Sequence, residues 1–540
     1  MPPVQRSGRE PSLARGAVAI TAATVASRIT GFVRVVVVAA VMGTTFLANT
    51  YQTANTAPNV LFELVAAGVL TSVFVPTFVD YLVQGKREQG WEVASILTSV
   101  ALVALTGLAV VLALAAPLVM RVLTLRVSDP SLRAQEIALG ASFLRLFAPQ
   151  IVFYGAGMIM TAALHAHRRF GLAAAAPIFN NLVVIGAYLA YALMRAGRPP
   201  SVTTITGGEI VVLGAGTTFG VVAMTFCLVP QLRDLGWRFR WSFHPSHPAV
   251  RKAARLGVWA LGYAGGYQAS LIVVLLLANR VRGGVAAYQW AYTFFYVPHA
   301  VLGVAIFNVL FPAMAEHASM RDREGFAARL QDGSDMLAFM LLPVSLFVLV
   351  GAGLISQVSL QFGAMSGEGV ALVGRVLAAF AIGLPAYSAF LVYTRAFYAL
   401  GDTKTPALVN AATVAIAGVL GAILFAMADD RWAVPGLALG HSAGFTIGLA
   451  FMTRSFARRS PAGAGVRLTR SLRRSVMGAA LAGAIMAATR TLLPAGSRLE
   501  ALTSLTIIAI AGALTYWLLM RALGSPELQR VSALIRKERS

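Results

Sequence analysis

The sequence predicts an all-α polytopic membrane protein. Of its 540 residues, 58% are hydrophobic and only 12% are charged, a composition outside the range of water-soluble domains. Apolar stretches long enough to cross about 30 Å of hydrocarbon recur along the chain, and we count about fourteen of them. The net charge is +23, but the basic residues lie between the apolar runs and do not form a soluble basic face. The charge therefore does not indicate binding to nucleic acid.

The predicted organisation is two lobes of six helices each, followed by a C-terminal helix pair. Within it, we place the second helix near 53–83, the fourth near 138–166, the seventh near 253–279 and the ninth near 335–360. The segments are a basic tail (1–16), an N-lobe (17–230), a basic linker (231–252), a C-lobe (253–453), a basic loop (454–474), the last two spans (475–520) and a second basic tail (521–540).

The distribution of Lys and Arg predicts the orientation in the membrane. With the N-terminus inside, most of these residues fall in cytoplasmic segments, including the linker and the loop after the twelfth helix. Both termini are then cytoplasmic, and the two tails are too polar to be apolar anchors.

An internal similarity suggests duplication. FVPTFVDY (74–81) resembles LFPAMAEH (310–317), and FAPQIVFY (147–154) resembles FAIGLPAY (380–387), each about 235 residues later. A repeat of six helices keeps the same orientation in both copies, so we expect a pseudo-twofold axis along the membrane normal. Two similar lobes are what an alternating-access transporter requires.

Motifs of enzyme chemistry are missing from the sequence. There is no GxxxxGK[ST] loop, no HExxH and no Cys/His cluster with metal-ligand spacing, so we expect no cofactor and no metal site. Cys227 is the single cysteine and is best explained by packing. These features favour a transporter over an enzyme.

The strongest local signal is SRITGFVR (27–34), which places Arg28 and Arg34 inside the first apolar helix. An arginine at mid-membrane costs at least about 2.5 kcal/mol, so each should face water, a carboxylate or a bound anion. Six residues separate them, which corresponds to about 9 Å along the helix, and the guanidinium group suits phosphate. The alternative is that they only hold helices together.

Acidic partners for these arginines are scarce. Among the acidic residues, only Glu63 lies clearly inside a predicted helix, and Glu209 lies near a helix end. The arginines in predicted helices are more numerous: Arg28, Arg34, Arg145, Arg375 and Arg395. This excess of positive charge predicts an anionic substrate. Glu63 is either an ion-pair partner of Arg28 or Arg34 or a protonatable coupling site. His299 and His441 are either packing residues or proton relays.

Several motifs, in order and at matching spacing, resemble the MurJ/MviN lipid II flippases of the multidrug/oligosaccharidyl-lipid/polysaccharide (MOP) exporter superfamily. They are SRITGFVR, APNVLFELVAAGVLTSVFVP (57–76), PIFNNLVVIG (177–186), YVPHAVLGVAIFNVLFP (296–312) and YTRAFYALGDTKTP (393–406). The resemblance implies fourteen helices, a bacterial plasma membrane location and translocation of undecaprenyl-diphosphate-linked disaccharide-pentapeptide. It also implies that Arg28 and Arg34 bind the diphosphate in a cationic cavity.

The chain departs from the family pattern at several positions. Phe62 and Glu63 stand where the family has an arginine pair, Asn49 and Ala67 replace acids, and Thr293 replaces an arginine. A flippase for another polyprenyl-linked glycan and a non-transporting paralogue therefore stay open as alternatives. An exporter of small cationic drugs would need acids where this chain has arginines.

The predicted substrate-binding residues are Arg28, Arg34, Asn49, Glu63, Arg145 and Arg395. The expected partners are lipid II or a related polyprenyl-diphosphate-linked glycan, membrane lipids and cell-wall synthesis proteins, and no nucleic acid. Membrane potential, H+ and Na+ are the candidates for energy coupling, and the sodium ligands of some family members have no matching acid in the seventh helix.

Overall fold

The architecture is all-helical over the part of the chain that the computed structural model describes, residues 10–66, 87–237, 239–251, 268–458 and 469–537, where no β-strand occurs. Twelve of the described helical segments are long and apolar enough to span a bilayer. The second half of the predicted second helix and most of the predicted seventh lie outside these residues. The predicted fold class is confirmed, while the count of fourteen stays a prediction.

The chain divides into two compact units, residues 1–268 and 269–540. The N-terminal unit contains α1 (Glu10–Met42), α2 (Phe46–Ala66), α3 (Arg87–Leu123), α4 (Pro130–Phe147), α5 (Gln150–Ala166), α6 (Gly171–Arg195), α7 (Gly207–Phe226) and the short α8 (Val229–Asp234).

The C-terminal unit contains the remaining described helices, the last of which follows the final span. Its elements are α9 (Gln268–Ala278), α10 (Gly284–Pro298), a π-helical turn (His299–Gly303), α11 (Val304–Ser319), α12 (Arg323–Leu360), α13 (Gly367–Ala399), α14 (Lys404–Met427), α15 (Asp430–Ala457), α16 (Arg470–Leu492), α17 (Arg498–Ala522) and α18 (Pro526–Lys537).

Helix starts follow local capping chemistry. The side chain of Asp129 accepts hydrogen bonds from the backbone N–H groups of Ser131 and Leu132, and Pro130 occupies the first turn, so α4 begins at 130 and not near 138 as predicted. Asp322 caps α12 through the N–H of Gly325, which moves that start from 335 to 323. Both corrections bring acidic residues into helices.

Packing within the N-terminal unit joins α1 to α6, and places α4 and α5 against α2, α3 and α7. Tyr51 of α2 is fully buried and meets Phe143 and Phe147 of α4 edge to face, with ring centroids 5.4 and 5.5 Å apart. Such aromatic contacts add to the apolar burial that holds α2 against α4.

Packing within the C-terminal unit is closest between α14 and α15 and between α13 and α15. A Cβ atom added to Gly440 of α15 would collide with the backbone of Gly421 in α14. Small residues at such contacts let membrane helices approach closely and gain dispersion energy.

The C-terminal segment is more ordered than the predicted basic tail. The side chain of Glu527, 3% exposed at the start of α18, accepts hydrogen bonds from Ser471 in α16 and from Ser525. Arg530 reaches Asp332 of α12 at 3.4 Å. These contacts fix α18 against the ends of α12, α16 and α17.

Candidate functional site

Helix α1 presents its two arginines differently. Asn181 of α6 donates to the Thr30 hydroxyl at 3.0 Å and to the carbonyl of Ser27 at 3.3 Å, which fixes this face of α1 against α6. Arg28 is exposed, whereas Arg34 is half-buried. The two guanidinium groups therefore occupy different environments on one helix, as their six-residue spacing requires.

Arg34 lies within electrostatic range of the Tyr51, Tyr154 and Tyr188 hydroxyl groups, which come from α2, α5 and α6. The Tyr51 hydroxyl lies 3.2 Å from that of Tyr188 and 2.5 Å from Thr217 Oγ1 of α7. We call these five residues the Arg34 cluster. The Thr217 hydroxyl donates to the carbonyl of Leu213 at 2.7 Å, so Tyr51 donates to Thr217 and accepts from Tyr188. The group in this cluster that can bind an anion is therefore the fixed charge of Arg34.

The predicted residues of α2 have separate roles. Asn49 is fully buried near the start of the helix. Glu63 is exposed on α2, and its charge reaches the Tyr154 hydroxyl, as that of Arg34 does. Among the described residues, no ion pair joins Glu63 to Arg28 or Arg34. The ion-pair alternative for Glu63 is thus not observed in this conformation.

The remaining predicted arginines are spread over both units. Arg145 is exposed in the last turn of α4. In the C-terminal unit, Arg395 is exposed on α13 with its guanidinium 5.0 Å from the centre of the Phe307 ring, a cation–π contact. Arg375 donates to the carbonyl of Arg431 at 3.2 Å and lies over Trp432. Arg375 therefore connects α13 with α15.

His299 and His441, the two histidines considered as proton relays, are packing residues in this conformation. His299 opens the π-helical turn, is 5% exposed and lies 2.9 Å from the Ser388 hydroxyl. The His441 ring lies among aromatic rings, with the Phe445 ring centre 4.6 Å away. Both rings pack against Tyr387.

Glu136 is a buried carboxyl group that the sequence reasoning missed. It lies six residues into α4 and is fully buried, with one oxygen 3.3 Å from the Thr50 hydroxyl and the other without a hydrogen-bond partner. Asp335 of α12 is also buried at 8% exposure and accepts from Thr469 and Gln331. The statement that only Glu63 lies inside a helix is therefore wrong, because α4 and α12 begin earlier than predicted.

Gln150 is a second polar residue that the sequence reasoning missed. It is fully buried at the start of α5, and its amide lies 3.2 Å from the Thr218 hydroxyl and 3.5 Å from Asn55 Oδ1. The polar positions Thr50, Asn55 and Thr218, all inside apolar helices, were the available signal for this internal polar network.

Two solved structures share this fold. A structure of lipid II flippase MurJ in an inward closed conformation superposes with a TM-score of 0.74 at 18% identity, covering 94% of this chain and 99% of that one. An inward-facing multidrug resistance MATE family transporter of the MOP superfamily superposes with a TM-score of 0.61 at 11% identity, covering 83% and 98%. The chain therefore has the multi-pass helical fold seen in these two membrane transporters.

Sequence relationships define the family. The family model described as lipid II flippase MurJ matches residues 38–506, so the chain belongs to the MurJ family. A probable lipid II flippase MurJ of Rhizobium tropici is 29% identical over 80% of this chain and 78% of that protein. Another from Thermotoga maritima is 25% identical over 95% and 97%. The resemblance noted in the sequence is confirmed.

Proposed function

We propose that this protein moves lipid II from the inner to the outer leaflet of a bacterial plasma membrane by alternating access. The observation that carries the proposal is the match of the MurJ family model over residues 38–506. The Burkholderia cenocepacia relative named lipid II flippase MurJ is 26% identical over 73% of this chain.

The Arg34 cluster is the part of the N-terminal unit best suited to the diphosphate of such a substrate. Arg34 supplies a permanent positive charge, and the Tyr154 hydroxyl near it is a neutral donor, whereas the Tyr51 and Tyr188 hydroxyls are hydrogen-bonded within the cluster. Arg28, exposed about 9 Å away along α1, is placed to contact another part of the same extended headgroup. Asn49, Glu63, Arg145 and Arg395 are the further positions we assign to substrate contact.

The orientation and energy source are also part of the proposal. With both termini cytoplasmic, the basic linker and loop face the anionic inner leaflet, as the positive-inside rule requires. Membrane potential is worth about 2.3 kcal/mol for one charge across 100 mV, enough to bias an anionic substrate or a charged site. H+ and Na+ remain the alternative couplings, and enzymes of cell-wall synthesis are the expected protein partners.

A second candidate, translocation of another polyprenyl-diphosphate-linked glycan, is favoured by the residues of α2. The negative charge of Glu63 and the positive charge of Arg34 both act on the Tyr154 hydroxyl, and Asn49 is neutral. These departures from the family pattern change the charge near the substrate headgroup, while Arg34 is retained.

The test is a binding measurement on the purified full-length protein. Lipid II should bind more tightly than an uncharged polyprenol, and Arg34→Gln should weaken binding by at least about tenfold, because a charge-assisted hydrogen bond is lost. Arg126→Gln, an exposed arginine in the turn after α3, is the matched control. Equal binding of lipid II and polyprenol would refute the diphosphate role, and stronger binding of another lipid-linked sugar would favour the second candidate.

A further inference from the structure

A cavity of about 260 Å³ lies inside the C-terminal unit, between α12, α13, α15 and the start of α16. Its walls are mainly apolar and include Leu337, Leu342, Pro385, Ala389, Leu449 and Val476. Val476 is exposed, so the cavity opens beside α16. Because the volume is below the range of about 300 to 1,000 Å³ that is usual for drug-sized ligands, the cavity suits a small molecule.

One end of this cavity is polar. Asp335 of α12 is the only acidic residue among the described residues that line it, and Gln331 and Ser334 of the preceding turn lie beside it. Tyr393 of α13 also lines the cavity, and its hydroxyl group lies near Ser334 and Asp335. Asp335 is 8% exposed, so its carboxyl group is almost completely removed from water.

The hydrogen bonds of Asp335 stabilise its carboxylate form. Its Oδ1 accepts from Gln331 Nε2 at 3.0 Å and from Thr469 Oγ1 at 2.9 Å. The Thr469 oxygen accepts the backbone N–H of Leu472, and its own proton is therefore available for Asp335. Two donors to one oxygen favour the charged carboxylate. A buried charge of this kind is costly unless an opposite charge lies next to it.

That opposite charge is missing from the described part of the chain. No arginine or lysine there forms an ion pair with Asp335, and no donor there reaches its Oδ2. Glu527 and Asp332 act on Asp335 with the same sign of charge. Of these two, Asp332 is paired with Arg530 at 3.4 Å. The charges around the polar end therefore attract a cation.

The polar end has three acceptor atoms left for a ligand. They are Asp335 Oδ2, the Ser334 hydroxyl oxygen and Gln331 Oε1. The Ser334 proton is already donated to the carbonyl of Leu330 at 2.8 Å, and the Gln331 amide nitrogen is used on Asp335. No group of three His, Cys, Asp or Glu residues suited to a metal ion occurs in the described residues. An ammonium group, with three N–H donors, matches these acceptors.

We propose that this cavity binds a small primary amine with an apolar chain, in its protonated form. The ammonium group donates to Asp335, Ser334 and Gln331, and the chain lies against the apolar residues of α13, α15 and α16. An inorganic cation would leave the apolar wall unfilled, and an alcohol would leave the charge of Asp335 unpaired. The two acyl chains of a phospholipid exceed the volume of the cavity several times.

The experiment measures binding of n-hexylamine and of 1-hexanol to the full-length protein in phosphatidylcholine nanodiscs, by saturation-transfer NMR with empty nanodiscs subtracted. The wild type should bind the amine at least about tenfold more tightly than the alcohol, because only the amine forms a charge-assisted hydrogen bond. Asp335→Asn should reduce this ratio to about twofold or less. Ser334→Ala should weaken amine binding about threefold. Ala389→Phe should block both ligands by filling the cavity.

The matched control is Glu324→Gln, which removes one negative charge from an exposed position in the first turn of α12 and should bind like the wild type. An amine preference that survives Asp335→Asn, or a wild type without this preference, would overturn the proposal. Loss of hexylamine binding in phosphatidylethanolamine nanodiscs would also overturn it, because the site would then hold a lipid headgroup. None of these measurements involves lipid II, so the proposed function can fail or stand separately.

Discussion

The hydroxyl group of Thr50 and the carboxyl group of Glu136 lie 3.3 Å apart in the buried contact between α2 and α4. The same hydroxyl lies 2.8 Å from the carbonyl of Phe46. A hydroxyl has one proton to donate, and the shorter contact is the better place for it. A neutral Glu136 can then donate to Thr50, and this arrangement needs no counter-ion.

Replacement of Glu136 by glutamine should therefore be tolerated. The amide can donate to Thr50 as a neutral carboxyl does, so the free energy of unfolding should stay within about 0.5 kcal/mol of the wild type. Glu136→Lys should destabilise the protein strongly, because it buries a charge with no partner. Thermal unfolding in detergent measures both. A Gln variant as unstable as the Lys variant would mean that a negative charge is needed at this position.

Glu209 offers a contrasting buried carboxylate. It pairs with Arg198 at 2.6 Å and completes a capping box with Thr206 at the start of α7. Glu209→Gln removes the charge from both interactions, so it should lower the unfolding temperature more than Glu136→Gln does. The reverse order in the same assay would contradict the assignment of a neutral Glu136.

Gly440 should be intolerant of larger residues. A Cβ there meets the backbone of Gly421, which cannot move aside as a flexible side chain would. Gly440→Leu should lower the unfolding temperature and the yield of folded protein, with a cost of about 1 to 3 kcal/mol or more. Gly418→Leu on α14 is the matched control, because no atom lies within 4 Å of a Cβ at Gly418. Equal losses in the two variants would contradict the close packing of α14 and α15.

Asp322 should make the start of α12 sensitive to acid. The backbone N–H of Gly325 and the side chain of His317 lower the pKa of Asp322 below its ordinary value. A lowered folded-state pKa gives stability that is present above the unfolded pKa and is lost as the pH falls through the folded one. The protection factor of the Gly325 amide, its exchange rate relative to the unstructured chain at the same pH, should therefore fall below about pH 4. Asp322→Ala should show low protection of this amide at every pH, and a variant still protected at neutral pH would exclude this cap.

The length of the apolar stretches was sufficient to predict the fold class, because bilayer thickness sets the length of a membrane-spanning helix. The helix starts could not be predicted from apolar length. The helices α4 and α12 begin with polar turns capped by Asp129 and Asp322, and these turns lie outside the apolar stretches. The sequence Asp129-Pro130 is a recognisable helix start that would have brought Glu136 into view. The helix α18 was missed because its polar residues resemble a solvated tail until Glu527 is seen buried.

The candidate site was predictable only at the level of single charges. Arg28 and Arg34 stand out as guanidinium groups in an apolar helix, but nothing in the sequence places Tyr51, Tyr154 and Tyr188 around Arg34. Those three residues come from three helices, and their convergence depends on tertiary packing. Likewise, the contact of Arg395 with Phe307 joins residues of α13 and α11.

The most direct test of the proposed function measures lipid II on the outer leaflet of cells whose own flippase is depleted and in which this protein is supplied. A membrane-impermeant enzyme that cleaves exposed lipid II gives the readout. We expect exposure to be restored by the wild type and lost with Arg28→Ala or Arg34→Ala at equal expression. No restoration by well-expressed wild-type protein, or full restoration by both arginine variants, would contradict the account.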